Sequence, residues 1–231
     1  VTTQAVAGDY VHQVNTLIGT KGTGLTSGYL YPGATYPYGM VQFTPSYFSK
    51  RSGFVINQLS GGGCEHMGNF PTFPVKGKLK MSPDNILNYR INVSEEKGHA
   101  GYYEAMVQED IKAKLTVTER TGMASYEYPA DQQYGTIIIG GGISATPIEQ
   151  AAIVITAPNK CEGYAEGGNF CGLRTPYKVY FVAEFDTDAF ETGTWKREEL
   201  MPNTTFAEGE YSGVYFTFDV NKKKNIQYKI G

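Results

Sequence analysis

The chain has 231 residues, among them 28 Gly, 18 Tyr and 12 Phe, and its formal net charge is −3. This balance argues against a nucleic-acid partner, because phosphate binding needs a concentrated basic face. No apolar stretch of the sequence is long enough to cross a membrane as a helix. A chain of this length can bury a sizeable core within one domain.

The first forty residues contain few signs of regular structure. Asp9 could cap a short helix that carries Val11, Val14 and Leu17 on one face and ends at Gly19. Residues 19–40 are rich in Gly and Pro, which excludes a regular element. Long ordered loops are uncommon in compact domains and often carry function. We therefore expect a functional loop here.

A second irregular stretch, residues 58–74, lies between predicted short strands. Those strands are expected at Met40–Phe43, Ser52–Asn57 and Lys76–Met81. Within the stretch, three consecutive glycines run into Cys64, Glu65 and His66. Glycines allow sharp turns and close backbone approach, and reactive side chains directly after them are typical of a functional loop. The alternative is a glycine-rich surface turn with a buried cysteine and a structural histidine.

From residue 101 onward, apolar and polar residues alternate. Residues 111–117 place Ile, Ala, Leu and Val on one face and Lys and Thr on the other, and the segment before them completes a hairpin around Glu109 and Asp110. The continuous apolar run Thr136–Ile139 predicts a strand buried on both faces. Further strands are predicted at 123–128, 152–156, 178–185, 214–220 and 226–230. The pattern indicates an all-β, antiparallel sandwich with larger sheets than an immunoglobulin domain has.

The chain contains three cysteines, Cys64, Cys161 and Cys171. Cys161 and Cys171 could bridge the glycine-rich segment between them, which would leave Cys64 unpaired. This number of cysteines does not identify the redox compartment.

Three kinds of chemistry can be weighed from these residues. Cys64 and His66 could act as a nucleophile and its base, but such pairs are set by spatial and not sequential proximity. No paired His or Cys spacing typical of a zinc site occurs. Aromatic residues near the glycine-rich loops could stack on sugar rings, or they could belong to ordinary packing. These residues are Tyr29, Tyr31, Tyr36, Tyr38, Phe54 and Phe70.

Several stretches, taken in order, resemble motifs of glycoside hydrolase family 92. They are NTLIGT (15–20), YPGATYPYGMVQFTP (31–45), LSGGGC (59–64), GYY (101–103), TERTG (118–122) and VYFVAEF (179–185). Members of that family are calcium-dependent, exo-acting α-mannosidases that invert the anomeric centre with one carboxylic acid and one carboxylate base. The resemblance implies a mannose-containing glycan as the substrate.

The resemblance also implies an architecture. Family members have an N-terminal β-sandwich of the supersandwich, galactose-mutarotase-like type, followed by an (α/α)6 barrel. Residues 1–231 would be the sandwich alone, with the barrel absent from this chain. Because the family's acid, base and calcium ligands lie on the barrel, we expect no catalytic residue and no metal ligand here, and the isolated chain should be inactive. A secreted, periplasmic or cell-surface location in a bacterium is expected.

By position, the loops Gly24–Gly33 and Cys64–Asn69 match family loops that reach the sugar pocket. The resemblance therefore marks Gly28, Phe54, Cys64, Glu65, His66 and Asn69 as substrate-binding candidates. Many α-1,2-acting members have a Trp in the stretch that matches Arg51–Asn57, and here Phe54 could replace it. The mannoside linkage therefore stays open, with α-1,3 and phosphate-bridged mannosides among the alternatives.

Two other functions compete with this interpretation. A non-catalytic carbohydrate-binding or structural sandwich would have the same strand pattern. A mutarotase-like sugar epimerase would need a His and Glu constellation on one sheet, and His12, His66 and His99 would have to lie near each other.

Overall fold

The computed structural model describes residues 10, 13–20, 30–46, 53–61, 67–84 and 92–231. Regular structure in these residues is almost entirely β, in seventeen strands. They are β1 (Ala34–Thr35), β2 (Gln42–Pro45), β3 (Phe54–Val55), β4 (Thr72–Lys76), β5 (Val93–His99), β6 (Tyr102–Val107), β7 (Ile111–Val117), β8 (Gly122–Glu127), β9 (Tyr134–Gly140), β10 (Ile148–Ala157), β11 (Lys160–Phe170), β12 (Leu173–Phe185), β13 (Glu191–Lys196), β14 (Glu199–Pro202), β15 (Phe206–Glu208), β16 (Ser212–Asp219) and β17 (Asn225–Ile230).

The described strands form two antiparallel sheets that pack face to face. One sheet has eight strands in the order β1-β2-β3-β4-β9-β16-β13-β14. The other has nine strands in the order β15-β10-β11-β12-β17-β8-β7-β6-β5. The prediction of an all-β antiparallel sandwich with large sheets is confirmed.

The main core lies between the two sheets and is dominated by aromatic side chains. Phe185 of the nine-stranded sheet lies 4.7 Å from Phe216 of the eight-stranded sheet, measured between ring centroids. Its ring is also 5.2 Å from that of Tyr228. Tilted aromatic pairs at such separations are favourable beyond the apolar area that they bury. The Phe185–Phe216 contact joins the two sheets across the core, whereas the Phe185–Tyr228 contact lies within the nine-stranded sheet.

A hydroxyl network crosses the same core. The Tyr228 hydroxyl donates to Thr72 Oγ1 at 2.6 Å, and it lies 3.2 Å from the Tyr126 hydroxyl. Thr72 Oγ1 donates in turn to the Phe54 carbonyl at 3.2 Å. Burial raises the pKa of Tyr126 and of Tyr228. The network therefore satisfies buried hydroxyls and also ties β4 to β8 and β17.

A smaller apolar cluster covers the outer face of the eight-stranded sheet. It contains Phe73, Ile138, Ile143, Trp195 and Tyr215, with Val75, Leu79 and Leu200 packed against it. Ile138 belongs to this cluster, whereas its neighbours Ile137 and Ile139 belong to the main core. The prediction that the Thr136–Ile139 run is buried on both faces is confirmed.

The hairpin predicted at residues 102–117 is also present. Val107 pairs with Ile111, and Gln108 and Glu109 make the turn with positive φ angles of 50° and 77°. Ile111, Ala113 and Leu115 are buried, as the alternation predicts. A period of two in the sequence thus correctly placed this strand and its buried face.

Two expected elements near the N-terminal end are wrong. Residues 13–20 form turns instead of a helix, and Val14 is 55% exposed; Asp9 and Val11 lie outside the described residues. The strand expected at Lys76–Met81 is β4 at Thr72–Lys76. Pro74 within β4 has no backbone donor for a neighbouring strand. The structure accommodates Pro74 because β3 pairs with β4 only at Thr72.

The segment between Cys161 and Cys171 is strand β11 and not a loop. Gly163 pairs with Phe181 and Ile153 in the neighbouring strands, and a Cβ at this position would lie 2.9 Å from the Phe181 ring. The glycine thus makes room for packing. Ten residues of extended strand separate the two cysteines by roughly 33 Å, far beyond the reach of a disulfide. Cys161 is free and buried, whereas Cys171 is disulfide-bonded, so the two cysteines, whose pairing the sequence left open, do not pair with each other.

Candidate functional site

Two irregular segments that the sequence marked as loops meet beside the first strands of the eight-stranded sheet. The Tyr31 backbone N–H donates to Ser60 Oγ at 3.4 Å. Leu30 lies beside Gly61, where a Cβ would be 3.8 Å from the leucine side chain. The described ends of the two segments are therefore neighbours in space.

Asn57 and Asn69 hold the second segment together. The Asn57 side chain accepts the Asn69 backbone N–H at 2.7 Å and donates to the Asn69 side-chain oxygen at 3.0 Å. On either side of Asn69, Met67 and Phe70 have positive φ angles of 56° and 54°. Such conformations are costly for residues other than glycine and persist where surrounding contacts enforce them. This part of the loop is therefore fixed by its own polar contacts.

Buried carboxamides lie beneath this turn. Gln58 is 1% exposed and Asn69 is 0% exposed. Neither polar atom of Gln58, nor Nδ2 of Asn69, has a hydrogen-bond partner in the structure, as far as the described part of the chain shows. A buried polar atom without a partner is unfavourable by about 1–3 kcal/mol. The sequence pattern did not predict that the carboxamides of Gln58 and Asn69 are buried. The one local hint is that Gln58 lies shortly before the three consecutive glycines.

The predicted substrate-binding residues are placed unequally. Gly28, Cys64, Glu65 and His66 lie outside the described residues, so their roles stay predictions. Phe54 is wholly buried in the main core, with its ring 5.9 Å from that of Tyr126. The Asn69 side chain is buried and bonded to Asn57. In this arrangement Phe54 and Asn69 support the loop, and neither presents a surface to a ligand.

The aromatic residues near the loops divide into two groups. Tyr31, Phe54 and Phe70 are buried, so packing accounts for them. Tyr36 and Tyr38 are 50% and 103% exposed. Tyr29 lies outside the described residues. Of these six residues, Tyr36 and Tyr38 are therefore the described ones whose rings are exposed to solvent.

The described parts of these two segments contain no acid or base of the kind that hydrolysis needs. Residues 30–46, 53–61 and 67–74 include no Asp, Glu, His, Lys or Arg. No group of three or more His, Cys, Asp or Glu side chains converges into a cation site within the described ranges. What these segments offer is aromatic faces, hydroxyls and backbone groups. Such groups suit recognition of a neutral sugar more than proton transfer.

His99 can be placed, but the constellation that an epimerase would need cannot be tested. His99 lies on β5 at the edge of the nine-stranded sheet, with its ring stacked on Tyr102 at 5.0 Å. His12 and His66 lie outside the described residues. The epimerase alternative stays a prediction without support from the described part of the chain.

A membrane-spanning helix is not found in the part of the chain that the structure describes. The fold and the described loop residues together define a class: a large two-sheet antiparallel sandwich whose loops, over residues 30–46, 53–61 and 67–74, contain aromatic, hydroxyl and carboxamide groups and no acidic or basic side chain.

Comparison with known proteins identifies the family to which the chain belongs. Residues 13–231 match the family model described as the glycosyl hydrolase family 92 N-terminal domain. An uncharacterized secreted glycosidase of Arthroderma benhamiae is 30% identical over a stretch that covers 53% of this chain and 18% of that protein. The chain belongs to glycosyl hydrolase family 92, as its N-terminal domain.

Solved structures of that family share the fold. The family GH92 α-mannosidase BT3965 of Bacteroides thetaiotaomicron superposes with a TM-score of 0.80 at 24% identity, covering 96% of this chain and 33% of that chain. The family GH92 inverting mannosidase BT2199 from the same species gives 0.78 at 21% identity, covering 99% of this chain and 32% of that one. The chain thus spans about a third of the solved structures that it matches.

Proposed function

We propose that this chain is the N-terminal domain of an exo-acting, inverting and calcium-dependent α-mannosidase that removes terminal mannose from glycans. The observation that carries the proposal is the family match over residues 13–231, with solved relatives named as α-mannosidases. In the proposed enzyme, this domain supplies one wall of the sugar pocket.

The division of labour between domains is supported by the composition of the loops. An inverting hydrolysis needs a carboxylic acid and a carboxylate separated widely enough to admit water. The described parts of the two loop segments contain no carboxylate at all. We therefore assign the acid and the base to the part of the full-length protein beyond this chain, and sugar recognition to the loops near Tyr36 and Tyr38.

The proposed calcium site is assigned by the same kind of argument as the acid and the base. Ca²⁺ takes six to eight oxygen ligands, many of them carboxylates. The described residues offer no converging acidic cluster for it. We place the calcium site outside this part of the chain, and no step of the function is assigned to a metal held here.

Export from the cytosol is supported by the bond at Cys171. Cys171 is disulfide-bonded, and structural disulfides persist mainly in oxidising compartments. The fungal relative is itself described as secreted. We infer a secreted, periplasmic or cell-surface enzyme.

The direct test is hydrolysis of linkage-defined α-mannosides by the full-length protein, with and without a calcium chelator. We expect release of mannose with inversion, loss of activity in the chelator, and recovery on adding calcium. The purified 231-residue chain should release none. Turnover by the isolated chain would contradict the division of labour, and absence of any mannosidase activity in the full-length protein would leave a binding or structural sandwich.

The recognition role of the loops has its own test. In the full-length enzyme, Tyr38→Ala should raise KM several-fold with a smaller effect on kcat, because an exposed ring contributes binding and not chemistry. Phe190→Ala, which removes an exposed ring elsewhere on the domain, is the matched control. Glu65→Ala and His66→Ala should lower activity without loss of folding. Unchanged kinetics in all three loop variants would make the loops purely structural.

A further inference from the structure

A cleft with polar walls lies at the edge of the eight-stranded sheet that is formed by β14. Its volume is about 410 Å³, and it is lined by Asp84, Arg197, Glu198 and Tyr211. We call these four residues the turn cleft, because Arg197 and Glu198 form the turn between β13 and β14 and Tyr211 directly precedes β16. Strand β14 lies five strand positions from β3 in this sheet, or roughly 24 Å at the usual strand spacing. The turn cleft is thus at the opposite edge of the sheet from the two loop segments.

The backbone of the turn cleft is held in an unusual conformation. Arg197 and Tyr211 have positive φ angles of 52° and 58°, which residues other than glycine seldom adopt. In a two-residue hairpin turn, the position of Arg197 is normally taken by Gly, Asn or Asp. The Arg197 N–H donates to the Tyr211 carbonyl at 2.7 Å, and the Arg197 carbonyl accepts the Ser82 hydroxyl. The fold therefore keeps a long charged side chain where a small one is usual, an arrangement found often at functional sites.

The Arg197 guanidinium is positioned but not neutralised. Its central carbon lies 5.3 Å from the centre of the Tyr211 ring, which is close enough for a cation–π interaction. Unlike the other described arginines, Arg197 forms no ion pair with a described carboxylate, although Asp84 and Glu198 line the same cleft. A guanidinium has several N–H donors in one plane, and a carboxylate has only acceptors. The turn cleft therefore offers fixed donors and acceptors side by side.

The balance of charge around the cleft favours a neutral ligand. Asp84 and Glu198 contribute negative charges and Arg197 a positive one. Lys196 supplies a second positive charge close by, with Nζ 3.6 Å from the point where a Cβ on Gly209 would lie. An anion would be repelled by the carboxylates and a cation by the basic groups. Neighbouring hydroxyls of a sugar, which both donate and accept hydrogen bonds, match a guanidinium and a carboxylate together.

We propose that the turn cleft is a second carbohydrate site, which binds a neutral polysaccharide through Arg197, Asp84 and Glu198, with the Tyr211 ring as adjoining apolar surface. From the edge of the sheet, it holds one part of a long glycan while another part reaches the loop segments. A second contact to the same polymer raises the overall affinity, because the second binding event is intramolecular. The inference goes beyond the proposed function and rests on it only in the choice of α-mannan as the first probe.

Retardation of the full-length protein in native gels that contain soluble α-mannan, or soluble β-glucan in parallel, measures glycan binding. Arg197→Gly removes the guanidinium and suits the positive φ angle at this position, so the fold should be kept. We expect this variant to bind the retarding glycan about tenfold more weakly, because a charged hydrogen-bond donor is lost. Arg174→Ala removes an arginine on β12 whose side chain is 79% exposed, and this matched control should keep wild-type retardation.

Two results of the gel experiment overturn the proposal. One is equal retardation of the wild type and of Arg197→Gly. The other is a wild-type protein that neither glycan retards. Circular dichroism of Arg197→Gly must match that of the wild type, so that a loss of retardation reports on the side chain and not on the fold.

Asp84→Asn distinguishes a neutral glycan from an anion as the ligand. Loss of a carboxylate acceptor should weaken retardation by the glycan several-fold, because an amide accepts fewer hydrogen bonds. For an anionic ligand the same change removes repulsion and should strengthen binding. Displacement of the glycan by inorganic phosphate, or unweakened retardation of Asp84→Asn, overturns the neutral-glycan site.

Hydrolysis of a small aryl α-mannoside is measured on the same wild-type protein, so the two proposals fail separately. Retardation that depends on Arg197 in a protein without mannosidase activity overturns the proposed enzyme and leaves the turn cleft standing. Mannosidase activity in a protein whose retardation does not depend on Arg197 overturns the turn cleft alone.

Discussion

The outer faces of the two sheets both carry aromatic side chains, but these side chains are buried on one face and exposed on the other. On the eight-stranded sheet, Trp195 and Tyr215 are buried within a second apolar cluster. On the nine-stranded sheet, Tyr180 and Phe206 stand largely in solvent. Both faces carry aromatic side chains at outward positions. The difference lies in what the chain lays over them.

On the eight-stranded sheet, a segment of the same chain lies across the outer face and covers it. Residues 77–84 cross this side: Lys78 forms an ion pair with Glu191 at 2.8 Å, and the Ser82 hydroxyl donates to the Arg197 carbonyl. Leu79 and Leu200 pack on the cluster. No described segment does this for the nine-stranded sheet. Outward aromatic residues therefore do not by themselves show whether a face of this sandwich is covered within the described chain.

The largest expected effect is on the covered face. Trp195→Ala should lower the free energy of unfolding by about 3–5 kcal/mol, because it removes a wholly buried ring and leaves a cavity. Urea unfolding followed by circular dichroism measures it. Gly213→Ala should also be severe, since its Cβ would overlap the Trp195 ring and the Ile139 carbonyl. A loss below about 1 kcal/mol for Trp195→Ala would show that this cluster is not a true second core.

The covered face should also respond to alkaline pH. Burial, with a contribution from Glu191, raises the pKa of Tyr215 to about 12. An unfolded tyrosine titrates near 10, so the stabilising contribution of neutral Tyr215 is complete below about pH 10 and is lost as the pH rises toward 12. The free energy of unfolding should fall across that window.

A Tyr215→Phe variant separates this effect from that of the core tyrosines. Its unfolding free energy should fall less steeply above pH 10 than that of the wild type, because one raised pKa is absent. The measurement is urea unfolding at a series of pH values. Identical slopes in the two proteins would show that Tyr215 does not titrate with unfolding.

Substitutions in the main core between the two sheets should lower the free energy of unfolding by an intermediate amount. Tyr228→Phe removes the donor to Thr72 Oγ1 and one partner of Tyr126. The loss should be about 1–2 kcal/mol, since hydroxyls remain buried without their full set of partners. Thr72→Val should cost a similar amount, and the double variant less than the sum of the two, because both belong to one network. Strict additivity would show that the hydroxyls act independently.

The smallest effect is expected on the exposed face. Tyr180→Ala in the 231-residue chain should change the free energy of unfolding by no more than about 0.5 kcal/mol, because the side chain is mostly in water. Urea unfolding of the same chain with Trp195→Ala gives the contrast. A large loss for Tyr180→Ala would mean that the two outer faces are equivalent and that the Tyr180 side chain is a structural element of this domain.

Some parts of the fold were accessible from local pattern and others were not. The alternation at 111–117 fixed a strand, its partner hairpin and its buried face, because side-chain direction has a period of two. Strand β11 was missed because its glycines resemble a loop. Gly163 is required instead by the Ala152 carbonyl and the Phe181 ring on the two neighbouring strands, contacts that no local signal reveals. Strands β13 and β14, with Trp195, were also missed.

The candidate site divides in a similar way. The resemblance implied that two irregular segments both reach the sugar pocket, and the Tyr31–Ser60 contact shows that their described ends are neighbours. Which aromatic residues face outward was not predictable: Tyr36 and Tyr38 are exposed, whereas Tyr31, Phe54 and Phe70 are buried. The buried carboxamides of Gln58 and Asn69 were not predicted as a cluster either. Burial depends on segments distant in sequence, and these positions have no regular period.

By itself, the sequence determined that the chain is an antiparallel β-sandwich, that Thr136–Ile139 is buried on both faces, and which family its ordered motifs resemble. These properties follow from side-chain periodicity and from short local motifs. The tertiary structure alone decided that Cys161 and Cys171 lie far apart and that Trp195 is covered while Tyr180 is not. These outcomes depend on which strands become neighbours and on where the chain returns, and both are set by long-range packing.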